Sequence, residues 1–186
     1  MITDKELQGK KIYIRQITLK DCTDEYVTWL NNPEVSQYME TKWYDQNIES
    51  IKCFVESQRN NSHSYLFAII HCDDDRHIGN IKIGPIHPHY QHADISYFIG
   101  DTDFWHKGIA TEAIELVCKF GFEELYLHRI EAGAYACAIG SWKALENNGF
   151  RREGIFREQI LFKQKYIDVY RYGLLKDEYK RLKDNK

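Results

Sequence analysis

Three strand-like segments follow one another in the middle of the sequence and limit the folds open to this chain. YLFAIIHC (65–72), HIGNIKIG (77–84) and ADISYFIG (93–100) are joined by short polar turns, which predicts an antiparallel meander. An amphipathic helix over 108–123 then precedes a further strand, HRIEAGAYA (128–136). Because a helix between two strands acts as a crossover, we expect the strands on either side of it to lie parallel and adjacent.

The remaining periodic segments complete a mixed α/β domain. We predict strands over 10–18, 150–162 and 166–175 and helices over 21–31, 48–58 and 140–148. The expected sheet is therefore largely antiparallel with seven strands, and four helices accompany it. At 186 residues the chain is expected to form a single domain, 1–186, with a core of about 8–178 and a solvated, Lys-rich tail over 179–186.

The composition is typical of a soluble folded protein and disfavours some function classes. Hydrophobic residues make up 43% of the chain, charged residues 28%, and the net charge is −3. That charge provides no field to hold nucleic acid or an anionic membrane, and no apolar stretch is long enough to cross a bilayer. The five cysteines are irregularly spaced, which favours reduced thiols. We therefore expect a cytoplasmic protein without a nucleic-acid or membrane partner.

The helix that begins near Gly108 lacks an ordinary capping residue. A Ser, Thr, Asp or Asn normally accepts one of the four unpaired N–H groups, whereas the preceding residues here are Trp105, His106 and Lys107. Unpaired N–H groups, the positive end of the helix dipole and the Lys107 side chain together make an anion site suited to phosphate or pyrophosphate. Water on an uncapped turn is the alternative. The pattern is neither GxGxxG nor GxxxxGKS.

The segment WHKGIATEA (105–113) resembles the acyl-coenzyme-A pyrophosphate loop of the GNAT acetyltransferase superfamily. That loop has Gln or Arg, two residues, Gly, one residue, and then Gly or Ala. Trp105 stands at the first of these positions, and Gly108 and Ala110 stand at the small ones. The tryptophan and the following TEA are similar to the branch that includes the ribosomal-protein alanine acetyltransferases. YVTWLNNPEV, HIGNIKI, ADISYFIGD and SWKALENNGF also occur in the order of that branch, over about 8–178.

The resemblance implies the GNAT fold, in which a central parallel pair of strands splays apart to admit the pantetheine arm of acetyl-CoA. It implies no metal. The backbone N–H of Phe98 would polarise the thioester carbonyl as an oxyanion donor. The coenzyme-binding residues that the resemblance implies are Phe98, Ile99, Trp105, His106, Lys107, Gly108, Ile109, Ala110, Thr111 and Ser141.

The resemblance also implies two catalytic side chains. Asp94 stands where family members carry a carboxylate base and would take the proton of the acceptor amine; a salt-bridged aspartate is the alternative. Ser141 would protonate the departing thiolate or bind the coenzyme, unless it only hydrogen-bonds at the start of a helix. Where the family usually has asparagine and tyrosine, this chain has Ala138 and Leu145, whose side chains cannot donate a proton. Proximity of thioester and amine could also carry much of the rate.

The implied reaction is transfer of an acetyl group from acetyl-CoA to a primary amine, preferably of a small molecule such as an amino sugar or a polyamine. A protein N-terminal amine, acyl-CoA binding without catalysis, and another nucleotide-binding α/β enzyme are the alternatives, and a homodimer stays open. The histidines of HPHYQH (87–92) are interpreted as solvent-facing rather than as a metal site. The residues expected to line the acceptor pocket are Trp29, Glu34, Tyr38, Tyr97 and Asp168, with the two carboxylates orienting a cationic amine.

Overall fold

The structure is a computed structural model that describes residues 6–184, which form one sheet with helices on both faces. The strands are β1 (Leu7–Gln8), β2 (Ile12–Gln16), β3 (Tyr65–His71), β4 (His77–His87), β5 (His92–Ile99), β6 (Arg129–Tyr135), β7 (Arg151–Phe162) and β8 (Lys165–Leu175). They lie in the order β1-β2-β3-β4-β5-β6-β8-β7. The predicted mixed α/β class is confirmed.

Six helices accompany the sheet. They are α1 (Asp24–Asn31), α2 (Pro33–Ser36), α3 (Ile48–Arg59), α4 (Ile109–Lys119), α5 (Ile139–Asn147) and α6 (Lys176–Asp184). Short 3-10 turns occupy 19–21, 40–43 and 102–104, and 120–124 continue α4 as a π-helical turn. Within residues 6–184, no helix is both long and apolar enough to cross a membrane.

The strand pairing agrees with the expected topology. β3, β4 and β5 form the antiparallel meander, and α4 is the crossover between β5 and β6, which are parallel. Every other pairing in the sheet is antiparallel. A helical crossover returns the chain to the same end of the sheet, which is why this one pair differs in direction.

The expected counts of seven strands and four helices are too low. β1 has only two residues, which is too short to show an alternating pattern. NNPEV reads as the stop of α1, but the Asn32 side chain accepts a hydrogen bond from the Glu34 N–H and starts α2 with Pro33 in its first turn. The structure thus has eight strands and six helices among the described residues.

The Lys-rich tail is helical over residues 176–184, which form α6, and its side chains from 180 to 184 are exposed. Tyr179 stacks on Phe122 at a ring-centroid distance of 4.8 Å and donates a hydrogen bond from its hydroxyl to Glu123 at 2.7 Å. Lys183 also donates to Glu123, at 2.6 Å. Tyr179 and Lys183 lie one helical turn apart, and their contacts with Glu123 hold the mostly charged α6 against the domain. Residues 1–5 and 185–186 of the expected domain lie outside the described residues.

Two apolar cores lie on opposite faces of the sheet and define where the site can be. One core lies under α4 and α5, which we call the α4 face; the other lies under α1 and α3, which we call the α1 face. Successive side chains of a strand point to opposite faces. Tyr97 consequently packs on the α4 face, whereas Phe98 packs on the α1 face, which it shares with Asp94.

Candidate active site

A gap between β5 and β6 lies at the centre of the sheet. The two strands pair over only three residues each, and the last pair is Asp94 with Glu131. Residues 95–99 continue to pair with β4, but no pairing with β6 continues beside them in the described chain. The gap is therefore closed at Asp94 and opens toward the start of α4, as the expected separation of the parallel pair requires.

The direction of the backbone groups along β5 decides which of them face the gap. The Gly100 N–H donates to the Ile78 carbonyl at 2.9 Å, in register with the β4–β5 pairing. Because hydrogen bonds to an antiparallel neighbour alternate along a strand, the Phe98 N–H also points to β4. The expected oxyanion donor is therefore wrong, and the N–H groups of Tyr97 and Ile99 are the ones directed into the gap.

The first turn of α4 has unpaired N–H groups, as the sequence predicts. Gly108 precedes the helix with φ of 80°, a left-handed conformation that glycine adopts without strain, and has no side chain to act as a cap. The first intrahelical bond runs from the Glu112 N–H to the Gly108 carbonyl at 3.1 Å. The N–H groups of Ile109, Ala110 and Thr111 are left without a partner in the helix, at its positive end.

The acidic side chain of this first turn is directed away from the free N–H groups. The Glu112 carboxylate accepts hydrogen bonds from the backbone N–H groups of Lys10 and Lys11, at 2.9 Å for Lys11. The Lys11 ammonium in turn donates to the Lys107 carbonyl at 2.7 Å. Lysine side chains from two segments thus lie near the start of α4, where they add to the attraction for an anion.

The loop before α4 is tied to the end of β5. Trp105 stands where the family pattern has Gln or Arg. Its indole N–H donates to the Ile99 carbonyl at 2.9 Å, which gives the tryptophan a role in the loop. His106 is exposed and has a positive φ of 59°, so it contributes its backbone to the tight turn. The loop therefore holds the free N–H groups at the mouth of the gap.

The carboxylate at the closed end of the gap is Asp94. Its side chain is 33% exposed, and its Oδ2 accepts a hydrogen bond from the Arg171 guanidinium at 3.2 Å. Burial raises the pKa of the Asp94 carboxyl, while the nearby Arg171 lowers it and Glu131 raises it further. The salt bridge that the sequence left as an alternative is present, and it leaves the carboxylate partly accessible to solvent.

A hydroxyl pair lies on the α4 face of the gap. The Tyr97 hydroxyl donates to the Ser141 carbonyl at 2.9 Å and lies 3.0 Å from the Ser141 Oγ. Burial raises the pKa of Tyr97 to about 12. Leu145, at the family's usual tyrosine position, is fully buried in the core. The alternation of β5 puts Tyr97 on the α4 face, but only the packing of α5 brings Ser141 to it, so the sequence did not reveal this pair.

A cavity of about 590 Å³ lies between α2 and the β7–β8 hairpin. Glu34 lines it, and Tyr38 stacks near its wall on Phe162 at 5.4 Å. The sequence did not single out Lys42, whose ammonium lies 4.9 Å from the Trp43 ring centroid. The full lining is Pro33, Glu34, Gln37, Lys42, Trp43, Leu161, Phe162 and Lys163. Two of the five expected acceptor residues, Glu34 and Tyr38, are therefore beside a cavity.

The other three residues expected to bind the acceptor do not line this cavity. Trp29 is a core residue with 6% exposure, and its ring covers Gly100 so closely that no Cβ would fit there. Tyr97 is directed to the α4 face, opposite the face on which α1 packs. The Asp168 carboxylate accepts a hydrogen bond from the Glu158 N–H at 2.9 Å within the β7–β8 hairpin. These three side chains are engaged in packing and hydrogen bonds within the domain, and their role toward the acceptor stays a prediction.

The histidines of the β4–β5 turn stack on one another and on Tyr90, with His87 and His92 5.3 Å apart between ring centroids. In the part of the chain that the structure describes, no three His, Cys, Asp or Glu side chains are grouped so that they could hold a metal ion.

Comparison with known proteins places these features in one family. Residues 11–151 match the model of the acetyltransferase (GNAT) domain. The chain is 32% identical to the uncharacterised N-acetyltransferase p20 of Bacillus licheniformis over 182 residues, covering 93% of this chain and 97% of the relative.

Solved structures show the same fold. A GNAT-family acetyltransferase from Bacillus anthracis superimposes with a TM-score of 0.79 at 24% identity, covering 93% of this chain and 99% of that one. The spermidine N-acetyltransferase of Vibrio cholerae, in complex with CoA and spermine, gives 0.83 at 19% identity, covering 92% and 99%. The chain belongs to the GNAT acetyltransferase family and is an acyltransferase.

Proposed function

We propose that this protein transfers the acetyl group of acetyl-CoA to a primary amine of a small molecule, such as an amino sugar or a polyamine. The observation that carries the proposal is the arrangement of the central gap. Unpaired N–H groups at the start of α4 lie at its open end, and the Asp94 carboxylate lies at its closed end. One end suits the diphosphate of the coenzyme, and the other suits the chemistry of an amine.

The residues present fit the coenzyme. The N–H groups of Ile109, Ala110 and Thr111 would bind the pyrophosphate, with the Lys107 and Lys11 side chains nearby. The inward N–H groups of Tyr97 and Ile99 are available to the pantetheine amides and to the acyl oxygen. When bound, acetyl-CoA supplies the activated acyl group as a thioester.

Asp94 would act as the base that removes a proton from the acceptor amine, directly or through water. An inward N–H of β5 would stabilise the negative charge that develops on the acyl oxygen. A strong general acid is not required, because a thiol has a pKa of about 8.5. With its pKa raised to about 12, Tyr97 is a weak donor to such a thiolate, so its hydroxyl pair with Ser141 would orient the coenzyme more than protonate it.

The acceptor side supports a small molecule. The cavity of about 590 Å³ is of the size that holds small ligands, and Glu34 and aromatic rings line it or stand beside it. The Glu34 carboxylate is the group there that can pair with a cationic amine, since the Trp43 and Phe162 rings already contact the ammonium groups of Lys42 and Lys163. The spermidine N-acetyltransferase of similar fold acts on an amine of that kind.

Release of free CoA from acetyl-CoA in the presence of an amine panel tests the proposal. The panel contains spermidine, glucosamine and a short peptide with a free alanine N-terminus. We expect turnover with a small amine and at most one hundredth of that kcat/KM with the peptide. The reverse preference would show a protein N-terminal acetyltransferase. Tight CoA binding without turnover on any of these amines would contradict catalysis and indicate a binding domain.

Asp94→Asn is the matched variant, because it preserves size and can still accept from Arg171. We expect kcat to fall by about a hundredfold or more, as for loss of a general base, with the Kd for CoA unchanged. Protection against thermal unfolding by ATP or NAD, and none by CoA, would contradict the coenzyme assignment.

A further inference from the structure

The Arg171 side chain crosses a whole strand to reach the candidate base. Arg171 belongs to β8 and Asp94 to β5, and β6 lies between those strands. At the crossing point β6 has Gly133, the register partner of Arg171. A Cβ at Gly133 would lie 2.8 Å from the Arg171 Nη1, closer than a Cβ can approach. The absence of a side chain on Gly133 therefore gives the guanidinium its path.

The guanidinium lies between two carboxylates. Its Nη2 is 3.2 Å from the Asp94 Oδ2 and 4.0 Å from the Glu131 Oε1. Glu131 is the parallel partner of Asp94, so their side chains emerge side by side on the same face of the sheet. Without a cation between them, two partly buried carboxylates at adjacent positions would repel each other.

The other charges around this pair are already engaged or more remote. Glu131 is 3.4 Å from Arg129 and 3.6 Å from the His92 Nδ1. Arg129 in turn holds Glu153 through a bidentate pair. Lys82, on β4, acts on Asp94 through its charge. Among the residues that the structure describes, Arg171 is the cation that hydrogen-bonds to Asp94.

We propose that Arg171 is a positioning residue for the reaction: its guanidinium, passing over Gly133, holds the Asp94 carboxylate at the closed end of the gap and favours its ionised form. This inference rests on the proposed role of Asp94 as the base. Glu131 has the opposite effect on Asp94, so the two neighbours balance the basicity of the carboxylate.

The pH dependence of kcat/KM tests this balance. Because burial and Glu131 raise the pKa of Asp94 and Arg171 lowers it, Arg171→Gln should move the acid limb to higher pH. The activity of the variant relative to the parent protein should therefore fall on the acid limb and recover to within about threefold on the alkaline side. Dividing each variant's profile by the parent's removes the titration of the acceptor amine, which is common to both.

Glu131→Gln is the matched control, because it removes a negative charge beside Asp94, whereas Arg171→Gln removes a positive one. Its acid limb should move to lower pH. Gly133→Ala keeps Arg171 but displaces the guanidinium, and should shift the limb in the same direction as Arg171→Gln. The pKa of the Asp94 carboxyl, followed by ¹³C NMR without substrate, should rise in Arg171→Gln and fall in Glu131→Gln.

A uniform loss of activity at all pH values, with an unshifted carboxyl resonance, would overturn the positioning role and leave a structural one. That result differs from failure of the proposed function. If Asp94→Asn retained the parent activity, the base assignment itself would be wrong, whereas the NMR shifts would still report on the effect of Arg171. If Arg171→Gln does not fold, Gly133→Ala and Glu131→Gln carry the test.

Discussion

Helices α3 and α4 both pack an apolar stripe on the sheet, yet they begin in opposite ways. The Asn47 side chain accepts a hydrogen bond from the Ser50 N–H at 2.8 Å, and the Ser50 hydroxyl accepts one from the Asn47 N–H at 3.0 Å. This capping box pairs donors of α3 within its own sequence. α4 begins at Gly108, which has no side chain to offer, and its acidic residue Glu112 is hydrogen-bonded elsewhere.

The difference shows that an uncapped helix start indicates an anion site only when the residues around it also favour an anion. α3 is capped where it leaves a surface turn, and its N-terminal donors have a stabilising role alone. α4 starts at the mouth of the central gap, with lysine side chains nearby and its donors unpaired within the helix. The N–H groups that no side chain caps at the start of α4 can instead donate hydrogen bonds to a bound anion.

The sharpest way to break this comparison is to put a carboxylate at the start of α4. Gly108→Asp places a negative charge where the pyrophosphate is proposed to bind, and aspartate tolerates the left-handed φ of 80° better than most residues. We expect the Kd for CoA to rise about tenfold to a hundredfold, measured by isothermal titration calorimetry.

Gly108→Asn is its control, because asparagine has the same size and backbone tolerance without the charge. Because an asparagine side chain can itself cap the free N–H groups, its Kd should also rise, but by less than in Gly108→Asp. An equal loss in both variants would show that shape at Gly108, and not charge, governs the affinity.

The next largest effect is expected at Glu112, whose carboxylate is directed away from the free N–H groups of α4. Glu112→Ala removes the acceptor for the backbone N–H groups of Lys10 and Lys11. We expect the free energy of unfolding in denaturant to fall by about 1–2 kcal/mol, since two hydrogen bonds to a charged group are lost. The Kd for CoA should not rise. A large loss of CoA affinity without loss of stability would instead make Glu112 part of the anion site.

The capped helix gives the complementary result. Asn47→Ala removes the side-chain cap of α3 and should lower the free energy of unfolding by about 1 kcal/mol. The midpoint of thermal unfolding should still rise on adding acetyl-CoA by as much as in the parent protein. A reduced response to acetyl-CoA would mean that the two helix starts are not independent.

The start of α5 gives the prediction with the smallest expected effect. α5 also lacks a side-chain cap at Ala138, and the Ser141 Oγ lies beside the Tyr97 hydroxyl. Ser141→Ala should change kcat by less than about threefold, because the thiolate needs no strong acid and Tyr97 can still donate to the Ser141 carbonyl. A loss of a hundredfold in kcat, with the Kd for CoA unchanged, would make Ser141 a proton donor.

The elements with strong periodicity were predictable, and the site was predictable in part. The meander, the crossover and the uncapped start of α4 each follow from local patterns. α6 was missed because its charged sequence shows no wide apolar face, and Tyr179 finds its partners only across the domain. Residue type places Trp29 and Asp168 at the acceptor pocket, but residue type alone does not distinguish a core ring or a hydrogen-bond acceptor in a hairpin from a ligand contact.

The sequence alone determined the family, the meander with its parallel crossover, and the donors left free in the first turn of α4, because these depend on local spacing and on the residues that a loop lacks. The tertiary structure decided which backbone N–H groups face the gap, since that depends on the register of β5 against β4. It also brought Arg171 over Gly133 to Asp94, a contact across 77 residues that no local pattern encodes. The charges that act on Asp94 therefore come together only when the strands assemble into the sheet.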